Sequence, residues 1–167
     1  RTDPISPETL ARLKAAMDCA PAVGNARPWR VLQVDDPAKR ASVIADFEAA
    51  NEDAACDYDD EKAAQYRALK LAGLREAPVH LAVFTETDPT EGAGLGRQTM
   101  PEMLAYSTVA AIHTLWLAAR AENIGMGWVS ILHPDRVAAI CDVPKSWVLT
   151  GYLCLGHPER FDDTPLL

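Results

Sequence analysis

A chain of 167 residues is long enough to bury one sizeable core and too short for two independent domains. With 49% hydrophobic and 24% charged residues, its composition excludes a disordered or fibrous chain. A net charge of −8, from 24 acidic and 16 basic residues, argues against general affinity for nucleic acid or an anionic membrane, so an anionic ligand needs a local basic pocket.

Ser6-Pro7-Glu8 joins an N-cap residue, a proline at the first helical position and an acid in the first turn, which predicts a helix start. Leu10, Leu13, Met17 and Ala20 give that helix one apolar face, and Pro21 and Gly24 end it. "WRVLQV", 29 to 34, predicts a short strand. Helices are predicted from Asp36-Pro37 to about Cys56 and from about Asp59 to Leu74, followed by a strand over 78–84. "TETDPTEGAGLG", 85 to 96, has the composition of a mobile loop, and loops of that length often serve as lids.

The helix predicted over 101–123 is apolar around most of its circumference, so it should be central, covered within one subunit or by a second copy. Tyr106, Ser107, Thr108, His113 and Thr114 interrupt it, which marks a buried helix rather than a membrane span. A strand over 125–131, a short helix from His133-Pro134-Asp135 to Cys141 and a strand over 147–156 complete the chain. This alternation predicts a single domain, 1–167, with a mixed α/β or α+β sheet.

Cys19, Cys56, Cys141 and Cys154 are scattered without a C-x-x-C pair, as expected of buried, reduced thiols in a cytoplasmic protein. The four histidines are far apart and none lies in a zinc-binding pattern, so no metal site is expected. "GAGLGR", 92 to 97, lacks the Lys-Ser/Thr ending of a phosphate loop and is better read as part of a lid. Ser130 does not sit in a nucleophile elbow, but it follows Gly125, Gly127 and Trp128 at the predicted end of a strand, where ligand crevices open. It is either a ligand-facing hydroxyl or an ordinary turn serine. Arg27-Pro28-Trp29-Arg30 is either a rigid corner aiming a cation and nearby backbone N–H groups at an anionic ligand, or a core indole between surface charges. Arg67 and Lys70, one turn apart, add positive charge to one helix face.

"APAVGNARPWRV" resembles the A-P-S-x-G-N-x-Q-P-W segment of the nitroreductase-like FMN-binding flavoproteins. "YRALKLAGLREAP" and "LGRQTMPEMLAYSTVAAIHTLWLAARAENIGMGWVSILHP" look like the branch of that family that makes 5,6-dimethylbenzimidazole, the lower ligand of vitamin B12. The resemblance implies an α+β fold with helices flanking a mixed central sheet, in an intertwined homodimer with FMN at the subunit interface. It further implies that reduced FMN is consumed as a substrate with O2. A separate flavin reductase is a candidate partner, and the sequence leaves the source of reduced FMN open. The competing expectations are an FMN- and NAD(P)H-dependent nitro- or quinone reductase and a non-enzymatic flavin-binding protein.

By resemblance, Pro21, Ala22 and Val23 form a flavin wall with Arg27 beside the ligand, and Lys70 is a basic residue directed at the flavin. Leu95 belongs to the cover, and Trp128, Val129 and Ser130 edge the reactive part of the ring, with Ser130 as the catalytic group. Ala22 stands where the family commonly has serine, and Arg27 where it commonly has glutamine. An Arg-Arg-Asp segment bearing a catalytic aspartate is expected before Arg1, and a basic tail beyond Leu167, so both ends of the full protein are expected to be missing.

Overall fold

The computed structural model describes residues 1–56, 62–64 and 73–159. The elements bounded within these regions are α1 (Pro7–Met17), β1 (Trp29–Gln33), α2 (Pro37–Cys56), β2 (Val79–Glu86), α3 (Met103–Ala121), β3 (Gly125–Val129), α4 (Pro134–Cys141) and β4 (Trp147–Gly156); residues 62–64 are also helical. Most of the helix predicted over 59–74 lies outside the described residues. Ser6 caps α1 as predicted, its hydroxyl accepting from the Thr9 N–H at 3.1 Å.

The strands form one sheet in the order β1-β2-β4-β3. The resemblance implied a mixed sheet; among the described residues every pairing is antiparallel. β2 is buried almost from end to end because both of its faces are covered, which explains its unbroken apolar run. Val79, Leu81 and Val83 face one core with residues of α1 and α3, while Ala82 and Phe84 face a second with residues of α2 and α4. The register shifts between Val83 and Phe84, whose partners are Gly151 and Leu149, so Thr150 is the extra residue of a bulge.

The first face of α3 packs through Leu104, Ala111, Ile112, Leu115 and Ala119. Tyr106, Val109, Trp116 and Leu117 follow helical spacing on another face and are exposed. Cys141 and Cys154 are buried as expected; Cys19 and Cys56 are exposed instead, since they follow the last buried turn of α1 and end α2.

In the second core His80, only 2% exposed, lies 3.0 Å through Nδ1 from the Tyr152 hydroxyl. Burial, reinforced by the Arg40 guanidinium, holds the His80 pKa down to about 4. The unfolded chain protonates this group near 6.5 and the folded chain does not, so its stabilising contribution is present above pH 6.5 and is lost as pH falls toward 4. At about 1.4 kcal/mol per pH unit the loss is on the order of 3 kcal/mol. His80→Gln should weaken the protein at pH 7 and flatten the dependence of the urea midpoint between pH 6.5 and 4. An unchanged slope would assign the acid sensitivity to other groups.

Candidate active site

The segment between α1 and β1 is a tight, left-handed turn. Gly24, Asn25 and Arg27 have φ of +51°, +56° and +43°, and Arg27 holds this conformation immediately before Pro28. A non-glycine residue there costs about 1–2 kcal/mol, so the surroundings must impose the shape. Two contacts do so. The Val23 N–H donates to Ser107 Oγ of α3 at 3.0 Å, and the Asn25 and Ala26 N–H groups donate to the Ala22 and Val23 carbonyls. These three N–H groups are therefore engaged within the protein, and the expectation that the preceding backbone faces a ligand is corrected for them.

Trp29 is a core residue, 8% exposed, between α1 and the sheet. Arg30 is tied down by its own corner: Nη1 donates to the Arg27 carbonyl at 3.0 Å, and Nη2 lies 3.6 Å from Glu91. Arg27 is the exposed cation of the corner. Pro21 is exposed, and Ala22 and Val23 are half-buried beside it.

The loop after β2 folds onto this turn. It contains a short 3-10 turn, Glu91–Gly94, and its glycines allow close approach: a Cβ on Gly92 would stand 2.6 Å from the Gly24 carbonyl oxygen, and one on Gly96 3.0 Å from Val23 Cγ2. Leu95 lies against Gly24 yet is 67% exposed, the geometry of a cover with one side unoccupied by its own chain. Arg97, in the same loop, pairs at 3.4 Å with exposed Asp88, while its Nη1 is buried without a hydrogen-bond partner. Sequence inspection passed over Arg97 as the last letter of "GAGLGR"; only the burial of one guanidinium nitrogen singles it out. A buried, unmatched cationic N–H is costly and fits a missing acceptor such as an anion, a carbonyl or water.

Trp128, Val129 and Ser130 lie at the tip of β3, on the opposite edge of the sheet. Val129 is buried, Ser130 is exposed, and Trp128, 42% exposed, lays its indole over Gly151, where a Cβ would stand 2.5 Å from Nε1. β2 and β4 intervene between β1 and β3, so the two groups of site residues are three strand spacings apart, about 14 Å. The structure thus brings Val23, Gly24 and Leu95 together and keeps them apart from Trp128 to Ser130 within one chain. Lys70 and Arg67 lie outside the described residues. Among the described residues no group of three or more His, Cys, Asp or Glu side chains could hold a metal ion, and no helix is long and apolar enough to cross a membrane.

The chain belongs to the nitroreductase family, whose model matches residues 1–157. Over all 167 residues it is 55% identical to a 5,6-dimethylbenzimidazole synthase of Rhodobacter capsulatus, covering 81% of that protein. Solved structures share the fold, among them these two. An iodotyrosine deiodinase bound to FMN and 3-iodo-L-tyrosine superimposes with a TM-score of 0.78 at 19% identity, over 100% of this chain and 89% of the other. A BluB-like flavoprotein from Clostridium difficile 630 gives 0.75 at 20% identity, over 100% and 87%.

Proposed function

We propose that this protein is an FMN-dependent oxidoreductase that converts reduced FMN and O2 into 5,6-dimethylbenzimidazole. The 55% identity to a synthase of that name across every residue of the chain carries this reading. The site supports it chemically. Reduced FMN supplies both the electrons for O2 and the dimethylbenzene ring that becomes product, so the protein must bind the flavin, hold off water and manage protons. Pro21, Ala22 and Val23 offer a rigid wall held by Ser107, and Arg27 a cation for an electron-rich ring. Leu95 is the apolar cover, and the Ser130 hydroxyl donates to or accepts from the ligand and moves a proton. Arg97 Nη1 supplies a donor under the cover, and Lys70 a further positive charge.

A homodimer completes the site. The walls at β1 and β3 are too far apart in one chain to grip a flat ring from both sides, and Tyr106, Val109, Trp116 and Leu117 form an exposed apolar stripe along α3. A second copy packed on α3 covers the stripe and brings its own β3 tip towards the first copy's basic turn. Trp116→Glu together with Leu117→Glu should convert a dimer to monomers by light scattering and weaken FMN binding by about tenfold or more. A double variant that stays dimeric would place the interface elsewhere. The free thiols fit a reducing, cytoplasmic setting, where a separate flavin reductase supplies reduced FMN.

The direct test is full-length protein with reduced FMN in air. Dimethylbenzimidazole by mass spectrometry supports the reading; oxidation of NAD(P)H by a nitroaromatic without that product would replace it with a reductase.

A further inference from the structure

β3 ends at Val129, and the chain passes through Ser130, Ile131 and Leu132 in an irregular turn before His133 begins α4. Ile131 and Leu132 pack against the second core, leaving Ser130 as the exposed residue of the turn. Nothing in the sheet ladder holds this segment, since the β3 pairing stops at Val129. A side chain from another element does. Asp46, in the middle of α2 and 5% exposed, accepts the His133 backbone N–H on Oδ2 at 2.8 Å and His133 Nδ1 on Oδ1 at 2.9 Å. Arg136 Nη1 adds a third bond to Oδ1 at 3.3 Å.

This arrangement exceeds what ending a helix requires. An N-cap needs one acceptor and usually supplies it locally, but His133 makes no side-chain cap bond and Asp46 reaches it from 87 residues away. An ionised carboxylate can only accept, so the facing Nδ1 carries a proton and the ring is oriented from α2. Charge-assisted bonds from two donors on His133 and one on Arg136 fix that residue in position and direction, which a single bond does not. A buried carboxylate is costly unless its lone pairs are matched in this way.

We infer that Asp46 is a positioning residue: through His133 it clamps the turn after β3 and sets where the Ser130 hydroxyl stands. Asp46 itself is buried and acts through His133. The inference rests on the role given to Ser130 above, and two readouts keep the two claims separable. Amide hydrogen exchange measures the clamp without any reaction: Asp46→Ala should speed exchange across 130–133 at least tenfold while β2 and β4 stay protected, and Asp46→Asn, which keeps one acceptor, should fall between. In turnover of full-length protein with reduced FMN in air, Asp46→Ala should lower kcat for dimethylbenzimidazole at least tenfold with KM changed less than twofold. Asp46→Ala added to Ser130→Ala should cost nothing further, because the group being positioned is already gone.

If Asp46→Ala does not fold, Asp46→Asn carries the same comparisons. Unchanged exchange at 130–133, a loss confined to KM, or additive losses in the double variant would overturn the inference. Wild-type protein that makes no dimethylbenzimidazole would end the proposed reaction, and the exchange result would then decide the clamp by itself.

Discussion

Ser130→Ala should keep FMN affinity within about threefold of wild type yet slow dimethylbenzimidazole formation by about 100-fold or more, the range that a positioned proton-transferring group contributes. Ser130 is exposed and follows the last paired residue of β3, so removing its oxygen opens no cavity and breaks no ladder bond. Stability should change by less than about 0.5 kcal/mol, as for surface positions generally. The combination is diagnostic: a folded protein that holds flavin, reacts with oxygen and releases mainly hydrogen peroxide. The measurement is product and peroxide per flavin consumed in a single turnover. Product at the wild-type rate would remove Ser130 from the chemistry.

Gly24→Val acts at the other end of the sheet. The position has φ +51°, which a β-branched residue strongly disfavours, and a Cβ would meet the Leu95 carbonyl oxygen at 2.5 Å and Leu95 Cβ at 3.0 Å. The obstacle is backbone, so a side-chain rotation cannot relieve it; the cover must lift or the turn must unwind. Overpacking of this kind costs about 1–3 kcal/mol. Spent on closure, that corresponds to an FMN affinity roughly tenfold or more weaker, at a factor of ten per 1.4 kcal/mol. Fluorescence titration with FMN checks the affinity, and circular dichroism checks that the sheet survives. Wild-type affinity in a folded Gly24→Val protein would show that the cover does not rest on this turn when flavin binds.

Gly24 and Ser130 also show how unevenly the site was legible. The corner at 27–30 drew notice by composition, but the same letters were open to two descriptions, and packing alone decides where each side chain goes. Trp29 is a core indole and Arg27 an exposed cation, because the left-handed turn points one inward and leaves the other outside. Spacing along the chain carries no information on that choice. Asp46 gave no sequence signal at all: it lies in a helix among ordinary polar neighbours, and its partners His133 and Arg136 are 87 and 90 residues away. Arg97 was passed over for a similar reason, since only packing decides which nitrogen of a guanidinium is buried.

Local physics wrote the elements into the residues. The cap and proline of α1, the apolar run of β2, the length of α3 and the start of α4 at Pro134 all follow from propensities and periodicities that act within a few residues, and the family followed from motifs equally local. Long-range packing made the other decisions. It chose the strand order that sends the basic turn and the Trp128 to Ser130 tip to opposite edges, and it buried one face of α3 while leaving Trp116 and Leu117 exposed. It also brought Asp46 beneath His133. Such outcomes depend on which surfaces meet after the chain has folded back on itself, and neighbours in space are not encoded by neighbours in sequence.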